Sequence, residues 1–172
     1  MPRSHDPLIE VEQVKSKKGL LLQLKKDNVI GRRNAVLALT PYHADVKVIK
    51  ALKRSAFHED AWFVRKAAFS VLTDYLNSKE WIRAYNREVH SQPRRTIVTQ
   101  FSKAFPDGAA KLIRESIKSD DSYIVQAEMI RQLGGIGHPS DILLIQSYVQ
   151  PWSPRKIVRN AANQAVTSLK DK

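Results

Sequence analysis

Between Asp120 and Gly137 the apolar residues Ile124, Val125, Ala127, Met129, Ile130 and Leu133 recur at the spacing of one helix face. Asp120, Asp121 and Ser122 precede them, where acids and hydroxyls cap a helix N-terminus. Gly134, Gly135 and Gly137 are expected to end the helix through a left-handed C-cap, and Pro139 forbids its continuation. Ser140 or Asp141 then caps a second apolar segment, Ile142 to Val149, so the unit reads as a helical hairpin. The same frame returns in Gly31 to Leu39, in Ala61 to Leu72 and in Val158 to Val166. Val64 takes the place of Val125, and Leu72 that of Leu133. Anchors at 31, 64, 125 and 158 leave one interval nearly twice as long as the others. A further repeat belongs in that gap, and Arg94 to Phe105 fills it in degenerate form. A period just above thirty with two helices per repeat is a solenoid signature. The fold expected is all-α, an α-solenoid of about five hairpins.

Taken in order, Leu8 to Val11 reads as a short extended segment, which sets residues 1–14 apart from a repeat domain over 15–172. Helices are expected from Lys15 to Lys26, from an Asn28 cap to Thr40, and from an Asp45 cap to Ala56. A long helix is expected over Ala61 to Leu76, then one from Trp81 to Val89 and a loop at Ser91 to Pro93. Pro106, Asp107 and Gly108 read as a turn before a helix from Ala109 to Ile117, and Lys156 to Leu169 closes the chain. Val64, Leu72, Val125 and Leu133 are the expected core positions. Trp62, Phe63 and Trp152 stand at helix starts, where they would fill the space between repeats.

Hydrophobic residues make up 42% of the chain, enough for a core and against wholesale disorder. The absence of cysteine excludes disulfides, thiolate metal sites and thiol nucleophiles. No stretch approaches the ~18 apolar residues of a membrane span, so a soluble monomer is expected in the cytoplasm, or in the nucleus of a eukaryote. The net charge of +12 favours polyanionic partners: nucleic acid, an acidic protein or an acidic membrane surface. Lys47, Lys50 and Arg54 share one face of the second helix in their repeat, as do Arg83 and Arg87 in the next, and Lys111, Arg114 and Lys118 in the third. They are the candidate polyanion-binding stripe, against the plainer reading of solvated helix faces. His58-Glu59 is the sole His-Glu pair and the other histidines are scattered, so no metal, cofactor or catalytic residue is assigned.

Short first helices of the form apolar-Arg-x-x-Ala resemble HEAT-like repeats. In such arrays, Arg32, Arg65 and Arg159 would pair with acidic turn residues of a neighbouring repeat. Three segments also resemble the helical C-terminal region of gluzincin zinc aminopeptidases. They are Asp120 to Gly134, His58-Glu-Asp-Ala-Trp-Phe-Val-Arg65 and Leu22-Gln-Leu-Lys-Lys-Asp-Asn-Val-Ile-Gly-Arg32. The aminopeptidase-like subunit of TFIID has a similar layout. Leu8 to Val11 would correspond to the last strand of that family's β-sandwich. The family's HExxH and Gly-x-Met-Glu-Asn motifs are absent, so the resemblance implies a non-catalytic region that holds a protein partner or an adjacent domain. A nucleic-acid-binding HEAT array is the alternative.

Overall fold

The computed structural model describes residues 16–149 and 155–172, which form ten α-helices and no strand. They are α1 (Lys17–Lys26), α2 (Val29–Ala38), α3 (Val46–His58), α4 (Trp62–Ser70), α5 (Ser78–Arg87), α6 (Ser91–Ala104), α7 (Pro106–Ser116), α8 (Tyr123–Ile136), α9 (Ile142–Gln146) and α10 (Lys156–Lys170). Side-chain caps set several of the starts. Asn28 accepts from the Gly31 N–H, Asp45 from the Lys47 N–H, and Asn77 with Glu80 forms a reciprocal capping box on α5.

Even-numbered helices stack in chain order, α2 on α4, α4 on α6, α6 on α8 and α8 on α10, as one layer. Each odd-numbered helix packs against the even-numbered helix that follows it, giving a second layer. The architecture is therefore an all-helical, HEAT-like α-solenoid of two layers. Val64, Leu72, Val125 and Leu133 are all fully buried in the core between the layers. At its centre Phe57 meets Phe69 edge-on, and Phe69, Trp81 and Phe101 follow in a chain of ring contacts.

Helix boundaries depart from the expected ones where packing overrides local signals. Gly134 and Gly135 lie inside α8, no described glycine has a positive φ, and Gly137 caps the helix in extended conformation. Gly134 is there for closeness: a Cβ on it would stand 2.8 Å from Cα and Cβ of Ala165 on α10. The helix expected over Ala61 to Leu76 stops at Ser70, because the chain must turn to reach the Asn77 capping box. Pro93 sits in the first turn of α6 and Pro106 is the first residue of α7, positions whose N–H needs no helical partner. What reads as a loop and a turn is thus helix in both cases. The segment Ile142 to Val149 keeps only the five-residue α9. The extended stretch at Leu8 to Val11, Trp152 and the prolines around it lie outside the described residues.

Candidate functional site

The α1–α2, α3–α4, α5–α6 and α7–α8 connections all lie on one edge of the stack, where odd helices end and even helices begin. A ladder of ion pairs runs along that edge. Arg32 donates to both oxygens of Glu59 at 3.0 and 2.8 Å, and Arg65 to both oxygens of Glu88 at 2.7 Å. Arg94 reaches Asp120 at 2.9 Å and Asp121 at 2.5 Å. Each arginine also donates to carbonyls at the end of the preceding odd helix: Arg32 to Asp27, Arg65 to Glu59 and Asp60, Arg94 to Glu88 and Val89. Each acid in turn accepts from a backbone N–H two residues on, Glu59 from Ala61, Glu88 from His90 and Asp120 from Ser122. Every rung therefore joins one repeat to the next and fixes the residue that precedes an even helix as it does so. Burial and the hydrogen bond from the Tyr85 hydroxyl to Asp120 at 2.6 Å push the Tyr85 phenol well above its ordinary pKa. In the fourth repeat Gln126 replaces arginine, donating to the Ile117 and Asp120 carbonyls and accepting from Arg155. Arg159 is half-buried on α10.

Odd helices carry a second set of cross-repeat pairs at the opposite edge. Lys17 meets Asp45, Lys53 meets Glu80 and Arg114 meets Asp141, each acid standing at the next odd helix's start. The Arg114 guanidinium bonds both oxygens of Asp141 and, against the desolvation of burial, holds that carboxyl below the ordinary aspartate range. Arg114 is therefore committed to the fold. Lys47, Lys50, Arg54, Arg83, Arg87, Lys111 and Lys118 are all exposed, and none is bonded to an acid among the described residues.

Three of these cations come together with an aromatic ring. A groove of about 510 Å³ between α3 and α5 is lined by Lys53, Arg54, Phe57, His58, Glu80 and Arg83. The Arg83 guanidinium lies 5.9 Å from the Phe57 ring centroid. A smaller hollow of about 260 Å³ adjoins it at Phe57 and His58 and brings in Arg87 and Val89. Lys111 and Lys118 line neither hollow, so the eight-residue stripe resolves into a cluster on α3 and α5 and separate charges on and after α7. Lys47 and Lys50 lie on α3 outside both hollows.

The edge that carries the ladder also exposes large apolar residues, of which sequence reading singled out only Trp62. Ile30, Trp62, Tyr123 and Ile157 are each the first or second residue of an even helix, and Val89 precedes α6 with 85% of its surface open. Trp62 lies flat on His90 at 4.4 Å between ring centroids rather than filling the core. The signal was available as apolar residues at helix starts, but α2, α4, α8 and α10 bury only the residues further along. Among the described residues no cluster of three or more metal-binding side chains occurs, and Glu59 of the His58-Glu59 pair is held by Arg32. No helix of the described residues is long and apolar enough to cross a membrane.

No family model matches the chain, and no curated protein matches it. Among solved structures, the chain is similar to one from the complex of CpcE and CpcF of phycocyanin lyase from Nostoc sp. PCC7120. The identity is 17% and the TM-score 0.60, over 100% of this chain and 71% of that one. This likeness shows the fold. It also corrects two expectations. The similarity found is to a phycocyanin lyase chain and not to aminopeptidases, whose apparent signature, Trp62-Phe63-Val64-Arg65, is accounted for by stacking: Val64 is buried and Arg65 makes a rung. The expectation of a non-enzyme falls as well. A chain of this fold occurs in a lyase, and a missing HExxH speaks only to zinc peptidases.

Proposed function

We propose that this HEAT-like module binds a protein partner along the edge where its even helices begin. The observation that carries the reading is the row of exposed apolar side chains there, Ile30, Trp62, Val89, Tyr123 and Ile157. Aromatic and branched apolar groups gathered on one edge, rimmed by charge, are the surface chemistry of protein contacts. The ladder beneath supports it, because a row held by ion pairs needs little further ordering when a partner docks. The similar chain named above comes from a complex of two proteins, which agrees with a fold used for assembly.

The test compares proteins retained from a lysate of the source organism on the immobilised chain, quantified by mass spectrometry. Ile30→Asp combined with Tyr123→Asp should lose a partner that the wild type and Leu143→Asp, a change at an exposed site on α9, both keep. Equal retention by all three, with circular dichroism confirming that each is folded, would refute the edge as the docking surface.

A further inference from the structure

The α3–α5 groove has a chemistry of its own, although the smaller hollow beside it reaches the apolar row at Val89. Cross-repeat pairs on the odd helices follow a rule of spacing: Lys17 finds its acid 28 residues on, and Lys53 and Arg114 find theirs 27 residues on. The α5 cation Arg83 has no such acid: Ala110 stands 27 residues on, and Arg83 makes no ion pair with Asp107 in the first turn of α7. The Arg83 guanidinium stands over the Phe57 ring instead and does not bond Glu80. Of the carboxylates lining the two hollows, three are held by cations of the fold and the exposed carboxylate of Asp60 is not. Glu80 holds Lys53, Glu59 holds Arg32 and Glu88 holds Arg65, while Asp60 gives its carbonyl to Arg65. What faces solvent unpaired is three cations, Arg54, Arg83 and Arg87, against the single carboxylate of Asp60, beside His58 and over an aromatic floor.

We propose that this groove binds an acidic segment of a protein chain, with carboxylates on Arg54, Arg83 and Arg87 and an apolar side chain against Phe57. Guanidinium groups present a planar fork that matches carboxylate oxygens two by two. A nucleic-acid strand would need a cationic track running with its phosphates, and here the track breaks where Arg114 is taken by Asp141. It would also need open aromatic platforms, whereas Phe57 is half-buried and covered by Arg83.

The experiment is fluorescence anisotropy with the full chain and a labelled glutamate-rich peptide carrying one central phenylalanine. A lysine-for-glutamate version and a mixed-sequence single-stranded oligonucleotide serve as the other arms. The wild type should bind the acidic peptide and not the basic one. Arg54→Gln with Arg83→Gln should weaken binding about tenfold, as expected for two removed charge contacts. Lys111→Gln with Lys118→Gln should leave binding unchanged. All four sites are exposed, and unchanged melting curves would separate lost binding from lost fold. No peptide binding, an equal loss in the α7-side variant, or tighter binding of the oligonucleotide than of the peptide would each overturn the proposal. Because the probes are synthetic, the outcome does not depend on whether the apolar edge holds a partner.

Discussion

Removing one rung of the ladder tests how the repeats are held together. In the second rung, the Arg65 side chain is 15% exposed and that of Glu88 only 4%. Arg65→Ala deletes two charge-assisted bonds to Glu88 and two to the Glu59 and Asp60 carbonyls. Asp60 is exposed, so water can replace its lost donor, whereas the Glu88 carboxylate, only 4% exposed, recovers its lost bonds poorly from water. It keeps only the His90 N–H, and a buried charge left without its partner costs about 3–5 kcal/mol. The exposed pair is the control: at 31% and 30% side-chain exposure, Lys53→Ala at the Lys53–Glu80 contact should cost about 0.2–1 kcal/mol. Adding Glu88→Gln to Arg65→Ala removes the stranded charge and should restore at least about 1 kcal/mol. Urea unfolding followed by far-ultraviolet circular dichroism reads all three. A loss below about 1 kcal/mol in Arg65→Ala, or no recovery in the double variant, would refute the account of the rung as a buried charge pair.

Two further predictions use other parts of the molecule. Gly134→Val should destabilise by about 1–3 kcal/mol or more through overlap with Ala165, whereas Gly135→Ala, whose Cβ meets nothing within 4 Å, should stabilise by about 0.5–1 kcal/mol; thermal melts distinguish them. The Asp141 carboxyl, lowered by Arg114, contributes stability that is complete above the unfolded aspartate pKa of about 4 and is lost as pH falls through the lower folded value. Urea midpoints should accordingly drop on acidification below about pH 4, and Asp141→Asn should lower stability at neutral pH and flatten that acid dependence.

The stacked layer of even helices was legible because Val64, Val125 and Val158 mark a helical period that tertiary packing keeps. The glycines misled because a capping signal and a close-packing signal use the same residue, and only Ala165, far along the chain, decides between them. Pro93 and Pro106 misled for a related reason: a proline that breaks a helix and one that starts it differ only in where the first turn falls. The ladder's acids, Glu59, Glu88 and Asp120, stand in connections outside the apolar period. The third donor, Arg94, was in view without its partner. Which cations are free was not readable at all, since Arg114 and Arg83 look alike on their helices until the folded chain brings Asp141 to the one and no bonded acid to the other.

The uneven bracing of the two edges has a mechanical consequence. The ladder makes one edge a spine, linked from Arg32 to Asp120. At the other edge, ties join α1 to the start of α3, α3 to α5, and α7 to the start of α9, and among the described residues no ion pair joins α5 to α7. Bending about the spine therefore meets least resistance at the seam between α5 and α7, which divides the stack into two stiffer blocks. Trp62 lies before that seam and Tyr123 beyond it, so a molecule gripping both would fix the angle between the blocks as it docked.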